Sequence, residues 1–245
     1  MKVCSVNEVR NRLDRVREKI VQSCQGVGRN PNDVKLLVVT KRRSAHVIAS
    51  LMPMGVIDIG ENYVQELIDK QAELGEITEN FNWHLIGPLQ RRKTKFLPGR
   101  ISMIHSVDRL EVAKKLDVEY GKTGKILDAF LQVNVSGEIS KSGWLLEDGD
   151  ANTDFLSDVE ELINLSWVKV RGIMTMPPFS QDPETSRKYF VAVRKLASTL
   201  NEHLGVETFQ EFSMGTSFDY PIAIQEGATY VRIGEAILGP REYNV

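Results

Sequence analysis

Short apolar runs alternate along the chain with longer stretches in which apolar residues recur every three or four positions. Short runs bounded by turn-forming residues are typical of buried β-strands, whereas the wider spacing is typical of one face of a helix. The predicted strands lie at residues 35–40, 56–59, 83–86, 103–107, 129–135, 168–174, 209–213 and 230–233. The predicted helices between them lie at residues 44–52, 62–74, 91–96, 109–121, 154–165, 184–203 and 219–225.

An extra helix is predicted ahead of the first strand, at about residues 5–25. Its apolar positions are Val6, Val9, Leu13, Val16, Ile20 and Val21, which fit one helical face. Eight strands with intervening helices predict a parallel sheet, and their number matches a closed (β/α)8 TIM barrel. An open doubly wound sheet is the alternative, but no Gly-x-Gly-x-x-Gly motif follows the first strand.

Composition indicates one domain over residues 1–245, with the barrel at about residues 35–239. The formal net charge of -2 gives no electrostatic drive toward nucleic acid. The chain has no apolar run of 18 residues and no signal-peptide pattern at its start, so we expect no membrane partner. The two cysteines, Cys4 and Cys24, indicate neither a zinc site nor a disulfide scaffold, which favours a cytoplasmic protein. No segment marks an interface, so we expect a monomer or a weak homodimer.

Lys41 is the first candidate for chemistry, because it follows the first strand at the end where barrel active sites lie. Arg42 and Arg43 come directly after it. Apolar surroundings and neighbouring cations lower the pKa of a lysine amine. Such an amine can attack an aldehyde and form a Schiff base.

The last two strands provide a candidate phosphate site. Ser213, Met214 and Gly215 end the seventh strand, and Gly234 opens a turn that leads through Glu235 into a short helix. Barrels often bind phosphate at these two strands through backbone N–H groups. An amine and a phosphate cradle at the same face predict a phosphorylated aldehyde as ligand, with pyridoxal 5′-phosphate (PLP) as the candidate.

Arg232 lies inside an apolar strand, and a buried guanidinium needs a partner. Glu61 or Glu211 could pair with it, or it could face the pyridine nitrogen of a cofactor and keep that nitrogen unprotonated. Asn62 could cap a helix or reach the phenolic oxygen of the cofactor. His84 is interpreted as a core histidine, and the alternative is that His84 or Tyr63 serves as a second acid or base.

An ordered set of short motifs spans residues 35–239. The motifs are Val39-Thr40-Lys41, the segment from Gly60 to Glu66, the segment from Trp83 to Gln90, Gln132-Val133-Asn134-Val135, Lys141-Ser142-Gly143, Arg171-Gly172-Ile173-Met174, Phe212-Ser213-Met214-Gly215 and Val231-Arg232-Ile233-Gly234. With this set, the chain closely resembles the pyridoxal phosphate homeostasis protein family, also known as the proline synthetase co-transcribed homologues.

The resemblance implies a PLP barrel of fold type III, similar to the N-terminal domain of alanine racemase. It implies that Lys41 carries PLP as a covalent aldimine, that Arg232 faces the pyridine nitrogen, and that the segments of Ser213 and Gly234 hold the phosphate. The cofactor-binding residues expected from it are Lys41, Asn62, Met174, Ser213, Met214, Gly215, Arg232, Gly234 and Glu235. Many relatives have Thr or Ser in place of Glu235, so we expect its carboxylate to turn away while its backbone N–H donates.

The function implied by the resemblance is PLP binding and delivery in vitamin B6 homeostasis, with PLP-requiring enzymes as possible recipients. The alternatives are a PLP-dependent amino-acid racemase or lyase and, less in keeping with a lysine on the first strand, a Schiff-base aldolase acting on sugar phosphates. Racemases with this barrel carry an additional C-terminal β-domain that supplies a second base. The chain ends at Val245, soon after the eighth strand, so we expect no robust catalysis.

Overall fold

The computed structural model describes residues 5–138, 142–146 and 152–240, which form a parallel β-barrel surrounded by helices. The strands are β1 Lys35–Val39, β2 Asp58–Glu61, β3 Asn82–Leu85, β4 Met103–Val107, β5 Leu127–Asn134, β6 Trp144–Leu145, β7 Val168–Thr175, β8 Glu211–Thr216 and β9 Tyr230–Ile233. Their order is β4-β3-β2-β1-β9-β8-β7-β5, and a further β4–β5 pairing closes a ring of eight strands. The (β/α)8 prediction is therefore confirmed. Of the residues discussed above, Cys4, Lys141 and Val245 lie outside the described ranges.

The α-helices are α1 Val6–Gln25, α2 Ala45–Leu51, α3 Val64–Leu74, α4 Leu110–Gly121, α5 Thr153–Ile163, α6 Arg187–Leu204, α7 Tyr220–Gln225 and α8 Glu235–Leu238. Short 3-10 helices occur at Pro31–Asp33, Met52–Met54, Gly75–Asn80, Arg91–Phe96 and Pro183–Ser186. No helix within the described ranges is both long enough and apolar enough to cross a membrane.

Helix α1 is the predicted extra helix at the start of the chain. Ser5 and Glu8 form a reciprocal capping box, in which each side chain accepts a hydrogen bond from the other's backbone N–H. The helix packs against α7 and α8 with the buried residues Val9, Leu13, Val16, Ile20 and Cys24. Val6 and Val21 are exposed, although the apolar spacing predicts them on the same face.

Several elements differ from the prediction. Residues 91–96 form a 3-10 helix instead of an α-helix, because the segment is short and four of its six residues are cations that repel one another. Strand β2 begins at Asp58 and not at residue 56, since Ile57 is exposed and the pairing with β3 starts at Asp58 and Asn82. The two-residue strand β6, which pairs with the end of β5 outside the ring, was not predicted.

The barrel interior is partly polar. Met103, Phe130, Met174 and Tyr230 form an apolar cluster that is separate from the main core between strands and helices. His84, His105, Ser213 and Arg232 are also buried, and the two histidine rings contact Tyr230. Polar groups inside a barrel need hydrogen-bond partners, and here they bond to one another.

Gly172 lies where β7 and β8 approach each other most closely. It pairs with Glu211, and a Cβ atom added to it would lie 1.7 Å from the Glu211 carbonyl oxygen. We therefore expect Gly172→Ala to lower the free energy of unfolding by about 3 kcal/mol or more, because the two strands must move apart. Gly26→Ala is the control, since Gly26 is right-handed and an added Cβ atom would meet nothing closer than 3.5 Å. Urea denaturation of both variants measures the difference, and equal stabilities would contradict this account.

Candidate functional site

A cavity of about 310 Å3 opens at the C-terminal ends of the barrel strands. Its volume lies at the lower end of the range of about 300–1,000 Å3 that is usual for small-molecule sites. Residues that end or follow β1, β2, β3, β7, β8 and β9 contribute to its wall. These residues are Val39, Lys41, Asn62, Ile86, Met176, Phe179, Thr216, Ser217, Phe218, Arg232, Gly234 and Glu235.

Five of the predicted site residues meet around this cavity: Lys41, Asn62, Arg232, Gly234 and Glu235. They come from both ends of the chain, and the pairing of β1 with β9 brings the two ends together. Lys41 and the Gly234 turn therefore line the same cavity. The turn follows β9, the eighth strand of the ring, and both lie at the C-terminal face of the barrel, where active sites are expected.

The turn that carries Lys41 is held from behind by a buried ion network. The Lys70 ammonium, on α3, donates to the Thr40 carbonyl at 2.8 Å and to a carboxylate oxygen of both Glu61 and Glu66 at 2.6 Å. The Thr40 hydroxyl donates to the same Glu61 oxygen at 2.6 Å. Lys70 was missed in the sequence analysis, although its spacing of four residues from Glu66 is a pairing signal on a helix.

Arg42, the next residue in this turn, adopts a left-handed conformation with φ of 60°. Its backbone N–H donates to the Glu66 carboxylate, which also pairs with Lys70. Burial raises the pKa of Glu61 above its usual value, although Lys70 and Thr40 act in the opposite direction. The backbone on both sides of Lys41 is thus fixed by groups outside the cavity.

Arg232 is 4% exposed and lies in β9 at the floor of the cavity. It donates from Nη1 to the Ser213 hydroxyl at 2.6 Å and from Nη2 to the Thr175 carbonyl at 2.8 Å. These bonds use two of its five N–H groups. Burial lowers the pKa of Arg232 to about 10, so the guanidinium is charged at neutral pH.

The suggested glutamate partners of Arg232 are wrong, because both glutamates pair elsewhere. Glu61 is bonded to Lys70, and Glu211 lies 3.9 Å from the Lys35 amine. The bonds of Arg232 are instead to a hydroxyl and a carbonyl, which leave its positive charge without a directly bonded carboxylate among the described residues.

Four predicted site residues do not line the cavity. Met174 and Met214 are buried, in the barrel interior and in the main core respectively. Ser213 is also buried, and its hydroxyl lies between Arg232 and His105. Gly215 has φ of 89°, and an added Cβ atom would lie 2.6 Å from Ala223, so it serves the close approach of β8 to α7.

The segment after β8 reaches the cavity through residues that the sequence analysis did not select. Thr216, Ser217 and Phe218 line it, and the Ser217 hydroxyl accepts a hydrogen bond from the Ala236 backbone N–H at 3.2 Å. Their position follows from a register shift between β8 and β9 after Ser213, which no sequence pattern indicated. At the cavity wall this segment therefore presents the hydroxyls of Thr216 and Ser217, whereas Ser213 is buried behind it.

The Gly234 turn lies against the end of β1. A Cβ atom at Gly234 would lie 3.0 Å from the Val39 carbonyl oxygen, so the absence of a side chain permits this close packing. Glu235 follows at the cavity rim and is exposed, which leaves its carboxylate access to solvent.

Asn62 presents a buried amide oxygen, Oδ1, with no hydrogen-bond partner among the described residues. Its backbone passes directly over Gly87, where an added Cβ atom would lie 2.3 Å from the Asn62 carbonyl oxygen. A buried unpaired polar atom at a cavity wall is costly unless a ligand or water completes it. Asn62 is therefore suited to contact a polar ligand.

Comparisons with known proteins agree with this geometry. The family model for the alanine racemase N-terminal domain matches residues 12–242. Two relatives described as pyridoxal phosphate homeostasis proteins are similar over nearly the whole length: one from Pseudomonas aeruginosa is 39% identical and covers 97% of this chain and 98% of its own, and one from Aquifex aeolicus is 38% identical and covers 95% and 98%. The structure of PipY from Synechococcus elongatus with PLP bound is 32% identical, with a TM-score of 0.79 over 94% of this chain and 100% of its own.

Proposed function

Because the chain belongs to the pyridoxal phosphate homeostasis protein family, within the alanine racemase N-terminal domain family, we propose that it binds PLP and acts in vitamin B6 homeostasis in the cytoplasm. The observation that carries this proposal is that Lys41, Arg232 and the Gly234 turn line one cavity. We further propose that it works as a single domain, as a monomer or weak homodimer, and passes PLP to PLP-requiring enzymes.

The residues at the cavity fit PLP. The Lys41 amine is suited to bond to the aldehyde carbon of PLP as an imine, with one water molecule leaving. The Asn62 amide, with its unpaired oxygen, is suited to the polar edge of the ring at the phenolic oxygen. The hydroxyl of Ser217 and the backbone N–H groups of the Gly234 turn are suited to the phosphate.

Arg232 is suited to face the ring nitrogen, because it lines the cavity and its bonds to Ser213 and Thr175 use only two of its five N–H groups. A guanidinium yields its proton with difficulty, so the ring nitrogen opposite it would remain an unprotonated acceptor. A ring in that state withdraws electrons weakly, which favours holding PLP over using it for catalysis. Met174, Met214 and Gly215 are proposed to shape the site from behind and not to touch PLP.

A racemase or lyase is the less favoured function. Within the described residues, the cavity wall includes neither His84 nor Tyr63, the two residues considered as a second acid or base. His84 is 3% exposed inside the barrel, and Tyr63 is 46% exposed on the surface. The names of the curated relatives also describe a homeostasis protein and not an enzyme.

The direct test is to incubate the purified protein with PLP, reduce the imine with borohydride and locate the modified lysine by peptide mass spectrometry. We expect one stoichiometric adduct on Lys41. Modification scattered over surface lysines, or none, would contradict the proposal. Exchange of the α-hydrogen of alanine or serine in heavy water tests the alternative, and a rate well above that of free PLP would favour a racemase or lyase.

A further inference from the structure

A chain of hydrogen bonds runs from the floor of the cavity through the interior of the barrel. Arg232 Nη1 lies 2.6 Å from Ser213 Oγ, which lies 2.7 Å from His105 Nδ1. His105 Nε2 lies 3.0 Å from His84 Nδ1, and His84 Nε2 lies 3.2 Å from Asp58 Oδ1. Asp58 begins β2, so the chain ends at the side of the barrel opposite the cavity.

The groups at the two ends of this hydrogen-bond chain determine the direction in which its hydrogen bonds are donated. Arg232 can only donate, so Ser213 accepts from it and has its own hydroxyl proton for His105. At the other end, burial raises the pKa of Asp58, but hydrogen bonds from His84 and Asn82 bring it below its usual value. Asp58 is therefore a carboxylate at neutral pH, an acceptor only, and His84 must carry its proton on Nε2 to donate to it.

The two histidines between these ends then have one neutral arrangement that satisfies every atom. His84 Nδ1 accepts from His105 Nε2–H, and His105 Nδ1 accepts from Ser213. The reverse tautomers would place an unprotonated His84 Nε2 against the Asp58 carboxylate, which sets two acceptors 3.2 Å apart. Burial, with the nearby cations, holds the pKa of His105 well below its ordinary value, so that ring remains neutral.

We propose that Ser213, His105, His84 and Asp58 form a positioning chain, with all donors aligned from Arg232 to Asp58, that fixes the Arg232 guanidinium at the ring nitrogen of PLP. This inference rests on the proposed function, to which it adds the residues that hold Arg232 against the ring nitrogen of PLP. Ser213, His105 and His84 are each no more than 3% exposed, so water does not compete for these bonds.

This hydrogen-bond chain limits how the Arg232 guanidinium can move. Its bonds to Ser213 and to the Thr175 carbonyl hold two edges of the planar guanidinium. Ser213 in turn keeps its orientation because its hydroxyl donates to His105 Nδ1. His105 keeps its tautomer because its Nε2–H donates to His84, which Asp58 anchors. Aromatic contacts of Phe130 and Tyr230 with the His105 ring fix the plane of that ring. The remaining N–H groups of Arg232 therefore point in a set direction.

The first test measures the tautomers in protein without PLP, by correlating the ring nitrogens and carbon-bound protons of the histidines in 15N NMR spectra at neutral pH. We expect both His84 and His105 to carry a proton on Nε2, with Nδ1 of each ring accepting a hydrogen bond. An Nδ1–H tautomer or an imidazolium at either residue would overturn the proposed alignment. This result does not depend on any variant folding or on PLP binding.

The second test compares the affinity for PLP with that for its 1-deaza analogue, which has CH in place of the ring nitrogen. We expect wild type to prefer PLP, and the preference to fall by about tenfold in Ser213→Ala and several-fold in Asp58→Leu. Asp58→Asn is the matched control, because it removes the charge but keeps an acceptor oxygen for His84. It should retain the wild-type preference.

A preference that is unchanged in both Ser213→Ala and Asp58→Leu would overturn the positioning role. A role in stability alone would weaken the binding of both compounds equally, which also gives an unchanged preference. If wild-type protein bound neither compound, the proposed function and the ring contact would both fail, whereas the tautomers would still decide whether the alignment exists.

Discussion

Replacing Lys70 with methionine should lower the free energy of unfolding by about 3–5 kcal/mol at pH 7. The Lys70 side chain is 6% exposed and the Glu61 side chain is fully buried, so the variant leaves a carboxylate in the protein interior without its counter-ion. Among the described residues, the second Glu61 oxygen, Oε2, already has no hydrogen-bond partner. Thr40 would then be the only group of this network still donating to Glu61 through its side chain.

The cost of Lys70→Met should depend on pH, with a sign that follows from Glu61. Burial already raises the pKa of Glu61 above its ordinary value of 4.5, and Lys70 is the main opposing group. Without Lys70, the pKa of folded Glu61 rises further. A carboxyl group with a raised pKa in the folded state favours folding below its unfolded pKa, and this contribution is lost as the pH rises through the folded value. The variant should therefore be closest to wild type near pH 5 and furthest from it near pH 8.

Urea denaturation at several pH values measures this difference. The control is Lys122→Met, which breaks a pair with Glu119 of the same length, 2.6 Å, by removing a lysine side chain that is 61% exposed. That variant should cost less than about 1 kcal/mol. Adding Glu61→Leu to Lys70→Met should recover most of the loss, because no buried charge is left. Equal costs for Lys70→Met and Lys122→Met would show that the buried network contributes little.

The barrel could be predicted because parallel strands covered by helices appear as short apolar runs. The predicted strand boundaries were less accurate where hydrogen-bond pairing between strands, and not the apolar pattern, decides where a strand begins and ends. Strand β8 runs from Glu211 to Thr216, whereas the apolar pattern favoured residues 209–213. Phe209 is buried outside the sheet, and Gly215 and Thr216 belong to the strand although neither has an apolar side chain.

The location of site residues could be predicted where it depends only on their following the C-terminal end of a strand. Lys41, Asn62 and Gly234 follow three strands, and the rule for barrels places them at one face. The direction of Ser213 could not be predicted, because its hydroxyl points to Arg232 and His105 inside the barrel. Contacts across strands, such as that of His84 with His105 or of Lys70 with Glu61, depend on register and helix docking that the sequence pattern does not specify.

Replacing Lys41 with alanine should remove the covalent PLP adduct completely and weaken retention of PLP by a factor of at least about 100, because the tethering of aldehyde and amine in one site is lost. The fold should survive this change. The network behind the turn bonds to the Thr40 carbonyl and the Arg42 N–H, which are backbone atoms that the substitution leaves in place. Absorbance in the near-ultraviolet and visible range and borohydride reduction detect the adduct, and gel filtration measures the PLP that remains bound.

Two controls test whether the adduct needs the Lys41 amine itself. One keeps the positive charge at this position, and the other removes a different lysine of β1. Lys41→Arg keeps a cation at the cavity but cannot form the imine, so it should lose the adduct while binding the anionic PLP more tightly than Lys41→Ala. Lys35→Met removes the lysine at the opposite end of β1, where it donates to the Tyr230 hydroxyl at 2.8 Å, and should retain the adduct. An adduct that persists in Lys41→Ala would assign the reactive amine elsewhere. Since β1 places Lys35 at the end of the barrel opposite the cavity, only Lys41 of the two can share one PLP molecule with Arg232 and the Gly234 turn.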